Sequence, residues 1–422
     1  MTAASRDART VTPDTTMPGT VTLGDVRAAA ARIAGRIAHS PVLEAPRLSD
    51  ETGCRLFLKL ENQHTTGSFK ERGALNKLLS LGEAERKAGV IAMSAGNHAQ
   101  AVACHASRLG IRATIVMPET TPFTKVERTA SFGARVELHG ETLSDSAAFA
   151  EQLAAQQGLT FVHPYDDAQV VAGQGTVALE MLADLPDLDI LVVPVGGGGL
   201  ISGMAVAAKA LKPTIHVVGV ECSMYPSMRQ TLAGEPVVCG GATIAEGIAV
   251  KAPGLLTRDL VRRHVDELVE VGEARLEEAV YQLATVQKLV AEGAGAAALA
   301  ALLDKPGRFD GKRVGIVLSG GNIDARILAQ VLTRGLIVEG RMVRLRIALN
   351  DAPGALAKIA RLLGDSGANI VEVHHQRLLH DVPVKMADID VVLETRDRAH
   401  VQSVIARLSE AGFPAELMSE VS

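Results

Sequence analysis

Short apolar runs alternate with longer stretches of helical periodicity from Leu56 to Leu318. The runs Leu56–Leu60, 89–93, Ala113–Met117, Arg135–Leu138, 190–195, 217–220 and 314–318 read as strands. Between them lie Ala-rich helical stretches such as 97–109 and Gly199–Leu211, the latter stopped near Pro213. An earlier helical pattern begins at Thr22 and runs through Ile33 and Ile37. Leu276, Val280, Leu283 and Val286 form a helical stripe before the run Ala291-Glu-Gly-Ala-Gly295. Strands alternating with helices predict parallel sheets covered by helices on both faces. Such sheets bind ligands beyond the carboxyl ends of their strands. Polar, Gly-containing turns stand at those ends, after Met93, Val195 and Leu318.

The pattern changes after Gly340. Strand-like 343–349, helical 355–363, strand-like 369–375 and Met386–Glu394, helical 399–410 and a short strand at 415–418 follow in turn. That βαββαβ order predicts a separate ferredoxin-like α+β domain. The organisation is then a flexible tail at 1–20, an α/β domain at 21–335 with a smaller subdomain inserted at about 62–160, and a second domain at 341–422. The joint is expected near Ala329–Gly340.

Composition narrows the function. A chain of 422 residues, 47% hydrophobic, builds two or three domains with a sizeable core. Aromatics are only 3% with no Trp, which favours close helix-on-sheet layers. A net charge of −5 offers no broad attraction to nucleic acid or anionic lipid. Cys54, Cys104, Cys222 and Cys239 are scattered without zinc or redox spacing, as expected of reduced thiols in a cytoplasmic enzyme. No apolar run reaches the ~18–20 residues that span a bilayer, and the first residues lack the apolar segment of a secretory signal.

The richest chemistry lies in Leu56 to Ala74, where a strand feeds a Thr/Gly/Ser loop and Lys70 opens a helix. A lysine can bond covalently to a carbonyl cofactor, and burial can turn it into a base; most lysines, however, are solvated surface groups. Gly196-Gly-Gly-Gly-Leu200 follows a strand and opens a helix, so its amides and the helix dipole suit one small phosphate. It has neither a P-loop nor a dinucleotide spacing. A close helix–strand crossing is the competing reading, but four glycines in a row exceed what packing requires. Ser94-Ala-Gly-Asn-His98 could hold a carboxylate on its amides, with Asn97 donating to an oxygen, or could be an ordinary helix cap. His98 by itself reads as a satisfied buried histidine. Ser319-Gly-Gly-Asn322 offers a hydroxyl to a ring nitrogen, or is a plain turn. Glu221 reads as a strand-end carboxylate rather than a metal ligand.

Taken together, Gly67-Ser-Phe-Lys-Glu-Arg-Gly-Ala74, Ser94 to Gln100, Pro194 to Leu200 and Leu318 to Asn322 resemble the threonine/serine dehydratases. These are pyridoxal 5'-phosphate (PLP) enzymes of the tryptophan-synthase-β fold group (fold type II), and the likeness runs from about Thr22 to Ile337. The resemblance implies a two-subdomain α/β fold in which Lys70 carries the cofactor and Phe69 packs on its ring. Asn97 would bond the ring oxygen, Gly196, Gly197, Gly198, Gly199 and Leu200 would hold the phosphate, and Ser319 would face the ring nitrogen. The loop Ser94, Ala95, Gly96, Asn97 and His98 would take the substrate carboxylate. The implied reaction is deamination of L-threonine, and of L-serine, to 2-oxobutanoate or pyruvate and ammonia. Ala95 stands where related serine racemases carry a second serine, which implies little racemisation. Ser227 stands where the racemases' second metal-binding acid would be, and no metal is expected.

The C-terminal domain resembles an ACT domain, through Asn350-Asp-Ala-Pro-Gly-Ala-Leu356. That likeness implies an amino-acid effector, isoleucine or another branched-chain amino acid, at Asp351, Pro353, Gly354, Ala355, Leu356, Asn369 and Ile370. It also implies a homodimer or homotetramer; a purely oligomerising role is the alternative. Rival readings are a dehydratase for serine or 3-hydroxyaspartate, a serine racemase-like enzyme, a cysteine-synthase-like β-replacement enzyme, and a silent ligand-binding protein that keeps the fold.

Overall fold

The computed structural model describes residues 20–376 and 385–418. The expected tail falls outside these, apart from Thr20. Strands β1 (Val42–Glu44), β2 (Arg55–Leu60), β3 (Val90–Met93), β4 (Ala113–Met117), β5 (Arg135–Leu138), β6 (Thr160–Phe161), β7 (Ile190–Pro194), β8 (His216–Cys222), β9 (Glu267–Val271) and β10 (Arg313–Leu318) form two sheets. The larger has order β1-β2-β10-β7-β8-β9, the smaller β5-β4-β3-β6. Every pairing is parallel except β1 with β2, which is antiparallel. Parallel sheets throughout was the expectation. The β1–β2 connection holds only the short helix Pro46–Thr52, and a parallel return needs a crossover of about a dozen residues or more.

β1, β6 and β9 were not foreseen. β6 is two residues long, and β9 reads Glu-Leu-Val-Glu-Val with only Val271 buried. Short or half-exposed edge strands carry little periodic signal. The first helix ends at Ile33 rather than continuing to Ile37.

The central strands are apolar because both faces are covered: β7 is buried along its whole length, and β10 from Val314 to Leu318. Small residues let the covering helices approach closely. Helix Ala168–Asp184 crosses helix Gly199–Leu211 at Gly175 and Gly203, where a Cβ on Gly203 would lie 2.2 Å from the Val171 carbonyl oxygen. Any larger residue there would force the helices apart.

Contacts divide the chain into two compact units, Met1–Ile323 and Asp324–Ser422. The division falls earlier than the change in sequence pattern, because helix Ala325–Val338 packs against the first strand of the second unit. That unit holds β11 (Met342–Asn350), β12 (Asn369–Gln376), β13 (Met386–Glu394) and β14 (Ala415–Leu417) in an antiparallel sheet of order β12-β13-β11-β14. Helices Ala355–Asp365 and Arg398–Glu410 complete the expected βαββαβ order. Among the described residues, no helix is long and apolar enough to cross a membrane.

Candidate active site

The four sequence motifs meet in the first unit. Lys70 opens helix Lys70–Ser80, and its half-buried amine donates to the Pro164 carbonyl at 2.8 Å. It also lies 5.2 Å from the centre of the Phe69 ring. Desolvation lowers the Lys70 pKa to about 8, despite the opposing charge of Glu292. A substantial neutral fraction is therefore present near physiological pH. The Phe69 amide donates to the Ser319 carbonyl at 3.0 Å, and Ser68 bridges Gly320, so the turn after β10 lies against the lysine loop.

Asn97 starts helix Asn97–Arg108 after β3. Its Nδ2 donates to Glu292 Oε1 at 2.6 Å, and its Oδ1 accepts from Asn322 Nδ2 at 2.7 Å. The second Asn97 N–H is the one left for a ligand. Gly96 is open: a Cβ built on it meets nothing within 4 Å. The Gly96 amide is held by Ser94 Oγ at 3.1 Å. His98 is buried, with Nε2 set on the Val162 carbonyl at 2.8 Å, and burial lowers its pKa to about 3. Its Nδ1 is buried with no hydrogen-bond partner among the described residues, so the expected satisfied histidine is satisfied at one nitrogen only.

The tetraglycine turn is more crowded than its sequence suggested. A Cβ on Gly196 would lie 2.9 Å from Ile248 Cα, and one on Gly197 2.3 Å from the Tyr165 ring. One on Gly198 would lie 2.6 Å from Met228 Cε, and one on Gly199 3.0 Å from Tyr165 Cα. A Cβ would therefore be crowded at Gly196, Gly197 and Gly198 and would need Tyr165 to give slightly at Gly199, so close packing accounts for more of the run than the sequence suggested. Gly198 also has φ +91°, which favours glycine. The anion reading survives on a separate observation. The amides of Gly197, Gly198 and Gly199 donate to no described backbone carbonyl, and they stand at a helix N-terminus.

Pro164 and Tyr165 tie this turn to Lys70. Pro164 accepts from the lysine, Tyr165 covers Gly197 and Gly199, and the Tyr165 hydroxyl donates to the Ala252 carbonyl at 2.9 Å. Ser319 is buried, with a long 3.4 Å bond from Oγ to the Ala294 carbonyl. The buried hydroxyls of Thr66 and Ser68 have no hydrogen-bond partner among the described residues. Unpartnered amides, two orphaned hydroxyls and a desolvated amine fit a phosphorylated carbonyl cofactor.

Glu292, Asn322, Pro164 and Tyr165 were not assigned by sequence reasoning. Glu292 lay in the Ala291–Gly295 run, where an acid directly before a glycine-rich helix start was the available signal. Glu221 is a capping group: its carboxylate accepts from the Met228 and Arg229 amides at 2.7 and 2.9 Å. Ser227 Oγ donates to the Val250 carbonyl at 2.6 Å.

Desolvation raises the Glu292 pKa to about 7, against an ordinary 4.5. The native chain therefore keeps a proton that the unfolded chain has shed between pH 4.5 and 7. Stability falls as pH rises through that window and levels off above it. Glu292→Gln is expected to remove on the order of 1–2 kcal/mol of this fall. Urea midpoints of the cofactor-free protein from pH 5 to 8 check it; parallel pH profiles for variant and parent would refute the assignment.

In the second unit, Asp351, Pro353 and Gly354 are exposed in the turn after β11, and Ala355 and exposed Leu356 open the helix that follows. Asn369 and Ile370 begin β12, where Asn369 pairs with Glu394, and Glu394 with Met342 at the opposite end of β11. Helix Ala355–Asp365 separates the two groups, about 16 Å at 1.5 Å per residue. One domain does not gather the expected effector residues; a shared site requires a second copy.

Residues 33–320 match the family described as pyridoxal-phosphate dependent enzyme, and residues 339–411 match the ACT domain. The chain is 43% identical over 400 residues to an L-threonine ammonia-lyase of Thermotoga maritima, covering 94% of this chain and 100% of that protein. Among solved structures it resembles a maize serine racemase, with TM-score 0.70, 33% identity, and coverage of 75% of this chain and 98% of that one. It equally resembles threonine deaminase isoform 2 of Solanum lycopersicum, with TM-score 0.70, 32% identity, and coverage of 77% and 93%.

Proposed function

The chain belongs to the pyridoxal-phosphate dependent enzymes and ends in an ACT domain, and from that premise we propose that it deaminates L-threonine, and secondarily L-serine, by α,β-elimination. The observation that carries this reading is the convergence of Lys70, Asn97, Ser319 and the tetraglycine turn around unpartnered donors. Likeness to L-threonine ammonia-lyase along nearly the whole chain supports the substrate.

When bound, pyridoxal phosphate supplies a carbonyl that condenses with amines and a conjugated ring that delocalises negative charge from the substrate α-carbon. The protein does the rest. The Gly196–Gly199 amides would hold the phosphate, Asn97 would donate to the ring oxygen, and Phe69 would cover the ring. Lys70 would be the residue that bonds the cofactor's carbonyl, and its free amine would take the substrate α-proton at Nζ. A pKa of about 8 suits that role at physiological pH. Ser319 presents a neutral hydroxyl to the ring nitrogen, so no carboxylate stabilises a proton there. Charge on the α-carbon is then less well stabilised, which favours prompt loss of the β-hydroxyl. Amides of the Ser94–His98 loop receive the substrate carboxylate. Cα–H and Cβ–O would break, the β-oxygen leaving as water with a proton equivalent to the one taken from the α-carbon. The released enamine then tautomerises to an imine, which water hydrolyses to 2-oxobutanoate and ammonia.

The reading includes a cytoplasmic homo-oligomer, a dimer or tetramer, under feedback from isoleucine or a related amino acid. Separation of the two effector segments supports pairing of second units, as do exposed Val371 and Val373 on the edge strand β12. The test is 2-oxo acid release from L-threonine, L-serine and 3-hydroxyaspartate, with and without isoleucine. Threonine is expected to lead, and isoleucine to inhibit the full chain but not a chain ending at Ile323. An inactive holoprotein would overturn the enzyme reading. Equal inhibition of both chains would overturn the regulatory one.

A further inference from the structure

The reading above gives the substrate one carboxylate, and the wall of the cleft carries a feature that bears on a second. Lys125 Nζ lies 2.5 Å from Glu246 Oε2. Lys125 belongs to helix Phe123–Ser131, which packs against helix Asn97–Arg108, the one that begins at the substrate loop. Glu246 belongs to the 3-10 turn Glu246–Ile248, which walls the other side. That turn touches the tetraglycine segment, where a Cβ on Gly196 would lie 2.9 Å from Ile248 Cα. It also touches Glu292, whose Oε1 is 3.5 Å from a Cβ built on Gly247. Glu292 in turn holds Asn97. The ion pair therefore joins the helix packed on the substrate-loop helix to the turn packed on the tetraglycine segment, and that turn also lies beside Glu292, the group that holds Asn97. Glu292 feels both charges.

We propose that the Lys125–Glu246 pair sets the charge class of the substrate, admitting neutral β-hydroxy amino acids and disfavouring those with a second carboxylate. This deepens the proposed function and rests on it. All candidate substrates share the α-amino and α-carboxylate groups, so those groups cannot discriminate. A β-carboxylate adds a second negative charge, and Lys125 and Glu246 are the charged pair that it would meet. With the pair intact, Lys125 is neutralised and Glu246 is the group a second carboxylate meets. Without Glu246, Lys125 becomes a free cation for it. The side chains are 31% and 72% exposed, and pairs of that kind contribute little to stability. Variants at both positions should therefore fold.

The test uses holoenzyme carrying Glu246→Gln or Lys125→Gln. L-2-Aminobutyrate and L-aspartate are of similar size and lack the β-hydroxyl, so neither can eliminate water. Their dissociation constants are read from the cofactor's visible absorbance. The ratio is expected to move about threefold to tenfold toward aspartate in Glu246→Gln and in the reverse direction in Lys125→Gln. Both shifts should shrink near ~1 M salt, where screening acts within about 3 Å. Selectivity in kcat/KM between L-threonine and 3-hydroxyaspartate should follow. Ratios unchanged in both variants, or moving the same way in both, overturn the proposal. A parent enzyme that ignores threonine while the binding ratio still moves would sink the threonine reading and leave the charge selection standing.

Discussion

Lys70→Ala is expected to cut 2-oxo acid release from L-threonine by about 10⁴-fold or more, because one side chain both carries the cofactor and moves the α-proton. The fold should survive. Lys70 is the first residue of its helix, alanine is a strong helix former, and the bond lost is the one to the Pro164 carbonyl. Removing a desolvated amine also removes a cost, since folding holds its pKa near 8 against an ordinary 10.5. The native state gives up protons below the pH at which the unfolded chain does. The parent therefore loses stability as pH falls from 10.5 toward 8, and Lys70→Ala should lose less. Turnover, the visible absorbance of cofactor-loaded protein and the thermal midpoint together check this. A variant that stays folded and works within tenfold of the parent would remove Lys70 from the chemistry.

Arg72→Met is expected to destabilise the first unit by about 3–5 kcal/mol, the cost of stranding buried carboxylates. Arg72 is fully buried two residues beyond Lys70. Its Nε and Nη2 donate to Glu61 at 2.7 and 2.8 Å, and its Nη1 and Nη2 donate to Glu180 at 2.6 and 2.8 Å. Buried Lys59 adds a 2.6 Å bond to Glu180, and His64 lies 2.9 Å from Glu61. Burial alone would raise the Glu61 pKa, but Arg72 and His64 outweigh it and hold the carboxyl well below its ordinary range. Two acids thus face two permanent cations, and methionine breaks that balance. Glu61 follows β2 directly, so the network fixes the first turn of the Lys70 helix to the end of that strand. Arg72→Lys keeps the charge but not the fork that grips both acids, and should fall between. Urea midpoints near neutral pH check the series, and a loss under 1 kcal/mol for Arg72→Met would refute the account. At low pH the gap should narrow, as the stranded acids take up protons.

Much of this was readable in advance for a physical reason. β4 and β13 and helix Gly199–Leu211 were placed to the residue, because burial on one face or both imposes a period that survives in sequence. Lys70, Asn97, Ser319 and the tetraglycine turn could be singled out as candidates because four motifs together resembled a known family; taken one at a time, each also read as a surface lysine, a helix cap, a plain turn or a close crossing. Glu292, Tyr165 and Arg72 were not singled out, since an isolated acid, aromatic or arginine has no distinctive spacing. Their roles arise from neighbours distant in the chain: Asn97 lies 195 residues from Glu292, and Arg72 lies 108 from Glu180.

The amino-acid order alone determined the layered α/β plan and the βαββαβ unit behind it, both consequences of local periodicity, and it marked the segment around Lys70 as the place to look for chemistry. Tertiary structure decided the antiparallel edge strand, the crowding around the tetraglycine turn, the acid that holds Asn97, and the separation of the two segments expected to bind an effector. Those follow from strand register, helix crossing and desolvation, which exist only once distant segments have been brought together.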